Sequence, residues 1–520
     1  MSALKSISAF LAALAVTGSV GVGYAQGVKG QGIKGPNQDL PELGSPANAA
    51  ISIDDEYHAG LGYVNQIRNT GLILTDPEVS QYAQEIGHSL SSRAEEGQHQ
   101  FYYFVLRDPI VNAFAVPGGF VAIHSGLILA TRNENELAGV LAHETAHVTQ
   151  RHIVRQIMDQ SHEGLLASAA MLAAVLLGAT AGRGSPDAIE GAILAGQSAM
   201  IQHQINYTRA SEFEADRIGI STAAEAGYDP LGMASFFDYM GREGPEPSRV
   251  NAVQFLIDHP IFSDRVAEAR DRADQIGRIR HEDSLSYRLI RERLRSVAAD
   301  PQVARQYYVN LLKNGGGKTI EERYGKDVAE ILMRNPAGAI PDLQELVREY
   351  PKVTQFYGAL GQAYLANNQL RESEAVLERA MTLFPRNVPI TIRLAETLMR
   401  SGDNKRAHLV LLDLFNNVEP TPDQTRLIAK AANTAGDYAD SYSYMAEFYL
   451  MTGNLQMASN QLQMALTLPN LDAVQRARYS ARLEEVRAAM PKKNKDQVAE
   501  GNRNNTAADG IRNDPGSGRY

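Results

Sequence analysis

The C-terminal half of the chain carries a period, and a period constrains a fold more tightly than any local motif. Tyr357, Leu360, Gly361, Tyr364, Ala380 and Pro385 mark one unit, and Ala395 and Ala407, with Gly402 in the turn, mark the next. Ala446, Ala458 and Ala465, with Gly453 in the turn, mark a further one. Gly361 and Ala395 lie 34 residues apart, the length of one helix–turn–helix repeat. Ala395 to Ala446 is one and a half such periods, which predicts a solitary extra helix near 422–436. Small residues at these positions let paired helices approach closely, and stacked pairs build a solenoid with a concave face. Residues 311–490 are therefore expected to form such a solenoid, an unrelated helical bundle being the other reading. The polar, Gly/Asn-rich stretch 491–520 is expected to be a disordered tail.

The remainder of the 520 residues is long enough for another domain with its own core. Residues 1–25 combine Lys5, an apolar run from about Ile7 to Val16, and small residues leading to Ala25. That pattern reads as a cleaved secretory signal, the run being too short to span a bilayer. In a Gram-negative bacterium the destination would be the periplasm. The chain has no cysteine, which excludes disulfides, thiolate chemistry, a Cys-ligated metal and a lipid anchor at the cleavage point. A net charge of −10 argues against nucleic acid as a partner, since phosphate binding needs a basic footprint.

Residues 26–50, rich in Gly, Pro and Asn, read as a flexible lead-in. Residues 51–280 show mainly helical patterns, with strands expected at FYYFVL (101–106) and at FVAIHSGLI (120–128), the latter entered through Pro117-Gly118-Gly119. Residues 281–310 are expected to be a helical connector. The almost wholly apolar run 165–181 and the segment after it are rich in alanine and at the lower edge of spanning length. Residues 165–205 are therefore expected to form a buried or membrane-surface hairpin, in peripheral contact with a membrane or covering a cleft, rather than a true span.

Chemistry concentrates in GVLAHETAHVTQRH, residues 139–152. Residues four apart on a helix lie one above the other, so His143 and His147 present two imidazoles to one metal ion. Glu144 stands about 100° around the helix, where it can address a water on that metal without ligating it. Zinc would make such a water acidic, and Glu144 would take its proton as a general base in peptide hydrolysis. A catalytic zinc needs a third protein ligand. His152, nine residues beyond His143, falls about 180° around a continuing helix and is set aside. The metzincin spacing is also excluded, because Gln150 and Ile153 stand where glycine and histidine would be needed. The better candidate is YTRASEFEADRIGI (207–220), where Glu212 and Asp216 share a helical face and Glu214 points to the other side. Glu212 could ligate, and Asp216 could accept the outer N–H of a ligating histidine. A solvated helix face, with Arg209 and Arg217 paired to these acids, is the alternative.

His143-Glu144-x-x-His147, the run Glu212-x-Glu214-Ala215-Asp216, and Asn112-Ala113 leading into Pro117-Gly118-Gly119 together resemble the M48 family of zinc metallopeptidases. With a secretory signal in front and the periodic region behind, which is similar to tetratricopeptide repeats, the whole chain resembles the periplasmic members that act in outer-membrane barrel assembly. The resemblance implies a mainly α (α+β) fold: a gluzincin-type metallopeptidase domain with a small β-sheet, followed by an α-solenoid of tetratricopeptide repeats. It implies Glu212 as third ligand to one Zn2+, Glu144 as base, and the strand after Pro117-Gly118-Gly119 as the cleft edge, where an extended substrate could add. It further implies a role for His259 and Arg265 in FLIDHPIFSDR (255–265), similar to a pair held to stabilise the oxyanion in integral-membrane members. His259 could instead fill the open position on zinc and keep the enzyme latent, or mark only a His-Pro turn.

These readings converge on a periplasmic zinc endopeptidase degrading misfolded or stalled outer-membrane proteins. Unfolded or misassembled outer-membrane proteins would be its partners, and the repeats could dock onto the barrel-assembly machinery. The rivals are a non-proteolytic chaperone whose zinc site is structural, and a membrane-embedded protease anchored through 165–205.

Overall fold

The computed structural model describes residues 51–94, 99–159, 209–242, 258–260 and 263–490. The expected signal, lead-in, 165–205 hairpin and tail lie outside the described residues. Among the described residues no helix is long and apolar enough to cross a membrane. The chain divides into two compact units, one ending at Val418 and one beginning at Glu419.

In the first unit, α1 (Ile53–Asn69) starts at Ser52, which exchanges capping contacts with Asp55, and α2 (Pro77–Ser91) starts at Asp76, whose carboxylate accepts from the Val79 amide. Three strands follow: β1 (Tyr102–Leu106), β2 (Ala113–Val116) and β3 (Phe120–His124). Then come α3 (Ser125–Ala130), α4 (Glu134–Thr149), α5 (His152–Asp159), α6 (Arg209–Glu225), α7 (Leu231–Arg242), α8 (Ser263–Ile276) and α9 (Leu285–Val297). The sheet order is β1-β3-β2, with β1 parallel and β2 antiparallel to β3. Gly118 and Gly119 turn the chain between β2 and β3 at φ 81° and 92°. A Cβ on Gly119 would sit 2.1 Å from the Gln100 carbonyl, so only glycine fits there.

Two details differ from the sequence reading. The strand expected over 120–128 ends at His124, and Ser125–Ala130 turns into α3. Gly126 there passes so close to the Pro109 and Ile110 carbonyls that a Cβ would stand 2.1 and 2.4 Å from them. And β3, the strand expected to offer a free edge, is the central strand, fully buried between β1 and β2. The sheet edge beside the histidine motif belongs to β2, itself buried, because the Pro117 turn folds β2 back onto β3.

Helix α4 runs through the middle of this unit, packed by α2, β2, α6 and α7, and is buried almost all round. Gly219 of α6 lets that helix lie directly on the α4 backbone, where a Cβ would stand 2.9 Å from the His143 nitrogen. Helix α9, inside the stretch read as a connector, contributes Tyr287, Ile290 and Leu294 to the same core as α2, α4 and the sheet.

Helices at 301–313, 320–332, 336–349, 354–366, 370–383, 388–401 and 404–415 complete the first unit, most of them packing on their sequence neighbours. Ala363, Ala380, Ala395 and Ala407 are fully buried at the contacts. The helix Val388–Ser401 also touches α2 through buried charge. Arg393 bonds Glu78 at 2.9 Å, while Arg293 of α9 reaches Asp76 at 2.6 and 2.7 Å and Glu78 at 3.1 Å. Arg293 also donates to the Tyr324 hydroxyl at 3.1 Å.

In the second unit, Pro422–Ala435 and Tyr438–Met451 form a helical hairpin through Gly436, followed by Leu455–Thr467 and Ala473–Ala489. A helix stands where the spacing placed an extra one, and it packs on Tyr438–Met451, which packs in turn on Leu455–Thr467. Ala446, Ala458 and Ala465 share one buried cluster, the set that the spacing assigned to one unit.

Candidate metal centre

Helix α4 supplies His143, Glu144 and His147; α6 supplies Glu212 and Asp216; the segment 258–260 supplies His259. One donor atom from each of His143, His147, Glu212 and His259 falls within a sphere of contacts no wider than 4.8 Å, and all four residues are buried. His143 Nε2 lies 2.9 Å from His147 Nε2 and 3.3 Å from His259 Nδ1. The Glu212 carboxylate is 3.3 Å from His259 Nδ1, 3.4 Å from His147 Nε2 and 3.6 Å from His143 Nε2.

These spacings test whether a cation fits. Donors held 2.0–2.1 Å from a tetrahedral zinc are about 3.3 Å from one another, and the contacts measured here run from 2.9 to 3.6 Å. The donor set is nitrogen and carboxylate oxygen, which zinc accepts. Two inward imidazole nitrogens at 2.9 Å also repel unless a proton or a cation lies between them. The residues fit a metal ion of the zinc type.

Each histidine of α4 is held from behind. Asp216 Oδ1 lies 2.9 Å from His143 Nδ1. His147 Nδ1 lies 2.8 Å from His152 Nδ1, and His152 Nε2 lies 3.2 Å from Glu214. The second arrangement went unseen in the sequence because α4 does not continue. It ends at Thr149, Arg151 adopts φ 52°, and His152 opens α5 on a new axis. The 180° argument therefore does not apply, although His152 still stands outside the four-residue cluster.

Arg265 of α8 is fully buried beneath the cluster. It donates to both Asp216 oxygens at 2.7 and 2.8 Å and to the Pro260 carbonyl at 2.9 Å, and it pairs with Glu212 at 2.7 Å. Its guanidinium rests on the Phe237 ring. It is turned toward the Asp216 and Glu212 carboxylates.

Glu144 faces β2. Its Oε2 accepts the Ala115 amide at 3.0 Å, and its Oε1 lies 3.3 Å from His259 Nε2. Asn112, just before β2, accepts the Ala113 amide on its side-chain oxygen and donates to Asp258 at 2.9 Å. The outward amides of the β2 edge are thus occupied by side chains. The sequence reading named Asn112-Ala113 only among the residues that carry the resemblance, without a role, and missed β2 and Asp258 as parts of the site.

The electrostatics follow from burial and close charges. Burial raises the Glu144 carboxyl above its ordinary range, against the pull of His259 and His143. Burial holds His147 well below the usual imidazole value, with His143 adding to the effect. Burial alone would lower His259, but the carboxylates of Glu144 and Glu212 push it up to about 9. Burial would raise Glu212 and Asp216, yet both are held down, Glu212 chiefly by His259 and His147, Asp216 chiefly by Arg265 and His143.

A buried His-Glu-x-x-His helix, crossed by a second helix bearing a carboxylate in donor range, defines the class of helix-based metallopeptidases. The description of peptidase family M48 matches residues 77–273. The chain is 32% identical over 453 residues to the "Putative beta-barrel assembly-enhancing protease" of Vibrio cholerae serotype O1, covering 86% of this chain and 92% of that relative. It is 29% identical over 450 residues to the "Beta-barrel assembly-enhancing protease" of Escherichia coli K12, covering 86% and 91%. Over 167 residues it is 30% identical to the "Mitochondrial metalloendopeptidase OMA1" of Schizosaccharomyces pombe, covering 32% and 45%. The chain belongs to peptidase family M48 and is a metalloendopeptidase.

Proposed function

We propose that this chain is a periplasmic zinc endopeptidase that degrades misfolded or stalled outer-membrane proteins, its repeats binding the client or the barrel-assembly machinery. The observation that carries the hydrolytic part is Glu144, poised between the β2 edge and a buried cluster of four donors within 4.8 Å of one another. His143, His147 and Glu212 would hold the zinc. Bound there, zinc would supply a Lewis acid and lower the pKa of water toward neutrality. Glu144, its carboxyl raised by burial, would take the proton of the attacking water and pass it to the leaving amine. Asp216 fixes His143 from behind, and Arg265 acts through Asp216 and Glu212 as a positioning residue. An extended substrate would pair with the β2 edge by displacing the Asn112 and Glu144 side chains from the Ala113 and Ala115 amides, where backbone bonding tolerates many sequences. The outer-membrane clients and the compartment are supported by the names of the bacterial relatives and by the signal-like residues 1–25.

In the arrangement described, His259 would hold the enzyme latent. Its Nδ1 stands in the fourth donor position and its Nε2 engages the base. Zinc content and cleavage of casein and of an unfolded outer-membrane barrel, measured together for wild type, Glu144→Gln and His259→Ala, test these roles. Glu144→Gln should keep about one zinc per chain and lose cleavage by on the order of 10²-fold or more. Undiminished cleavage would remove Glu144 from the chemistry, and full rescue of a deletion phenotype by this variant would favour the chaperone reading. Higher activity in His259→Ala supports the latch; abolished activity supports oxyanion stabilisation instead.

A further inference from the structure

Beyond the expected ligands and their carboxylate, the site contains a second supporting chain that the catalytic reading leaves unused. His152 is buried, and its Nδ1 is 2.8 Å from the outer nitrogen of His147. Its other nitrogen is 3.2 Å from Glu214 Oε2, which also accepts from Arg155 at 3.0 Å. We propose that His152 is the positioning residue of His147, relaying its outer nitrogen to Glu214 as Asp216 does directly for His143. This rests on the metal-site reading above and deepens it.

The proton count supports the assignment. For His147 to offer the metal a lone pair at Nε2, its proton must sit on Nδ1. That N–H then points at His152 Nδ1, which must be the acceptor, so the His152 proton sits on Nε2 and is donated to Glu214. Each ring is left with one allowed tautomer, and the chain terminates on a carboxylate. A histidine ligand with such a partner is a better donor and keeps its ring orientation. The two α4 histidines are therefore supported differently. His143 leans on a carboxylate clamped by buried Arg265, while His147 leans on a second imidazole whose own carboxylate is partly open to solvent. The chain reversal at Arg151 is what makes this possible, because it turns α5 back toward α4 and α6 within five residues of His147.

Zinc affinity by chelator competition, the cobalt(II) ligand-field spectrum, and the melting point of the metal-free protein separate positioning from simple packing. His152→Leu removes the acceptor and should weaken zinc binding roughly 10–100-fold. His152→Asn places an amide oxygen near the position of Nδ1 and should recover most of the affinity and the wild-type cobalt spectrum. Glu214→Gln, at a half-buried position, should weaken binding several-fold without loss of metal-free stability. Wild-type affinity in His152→Leu overturns the proposal, and so does an equal loss in the Asn and Leu variants. Should His152→Leu fail to fold, Glu214→Gln decides, and wild-type affinity there overturns it. Failure of the underlying metal-site reading is distinguishable, since the wild-type protein itself would then bind no zinc.

Discussion

Gly219→Ala tests whether the second ligand helix is placed by backbone contact. Glu212, Asp216 and Gly219 lie at i, i+4 and i+7, on one face of α6. An added Cβ would stand 2.9 Å from the His143 nitrogen and 3.0 Å from the Ala142 carbonyl carbon and the His143 Cα. Comfortable carbon contacts are about 3.5–4.0 Å, so α6 must retreat by roughly 0.5–1 Å. Two energies oppose each other. Alanine in place of glycine favours the helix by about 0.5–1 kcal/mol, and overpacking costs about 1–3 kcal/mol. The net loss of stability is therefore at most about 2.5 kcal/mol. The site is less forgiving, because ligand distances tolerate only about 0.2 Å. A misplacement near 1 Å costs on the order of 10²-fold in rate. The expected result is a modest fall in the melting point, a large loss of zinc affinity in chelator competition, and a loss of casein cleavage approaching 10²-fold. Gly241→Ala on α7, where a Cβ meets nothing within 4 Å, is the control and should change neither affinity nor cleavage. A Gly219→Ala protein with wild-type affinity, wild-type cleavage and a raised melting point would refute the reasoning.

The buried charges joining α2 to the repeat helices make further predictions. Arg293→Met leaves Asp76 and Glu78 with Arg393 as their remaining arginine, and should destabilise the first unit by about 3–5 kcal/mol; a wild-type denaturant midpoint would contradict this. Burial would raise Asp76, but Arg293 and Arg393 hold it down at about 2, below its unfolded value near 3.9. Its contribution is thus fully present above about pH 4 and lost as pH falls toward 2. Urea midpoints across that window should fall more steeply for wild type than for Asp76→Asn, and parallel curves would count against the assignment.

How much of this site could be read from the chain depends on how each residue reaches it. His143 and His147, and likewise Glu212 and Asp216, share a helix face, and a period of 3.6 residues is visible in any sequence. The features that stayed hidden depend on a change of direction. Nothing in Gln150-Arg151 announces a backbone at φ 52°, a conformation uncommon for arginine, so a continuing helix was the reasonable assumption and His152 was turned away by it. Four residues, Ala-Phe-Ala-Val, carry too little alternation to mark β2, yet β2 rather than β3 faces Glu144 because the hairpin closes on that side. Arg265 was visible as a cation near His259, but its direction depends on α8 packing beneath α6, which places both Asp216 oxygens within its reach. Arg293 and Asp76 stand 217 positions apart, and no local pattern could pair them. His143, His147, Glu212 and Asp216 were therefore legible, since local periodicity places them, whereas His259 entered only through the resemblance. His152, Glu214 and Gly219 were not legible as supports, since chain reversals and long-range packing put them there, and their variants test that supporting layer while leaving every expected ligand intact.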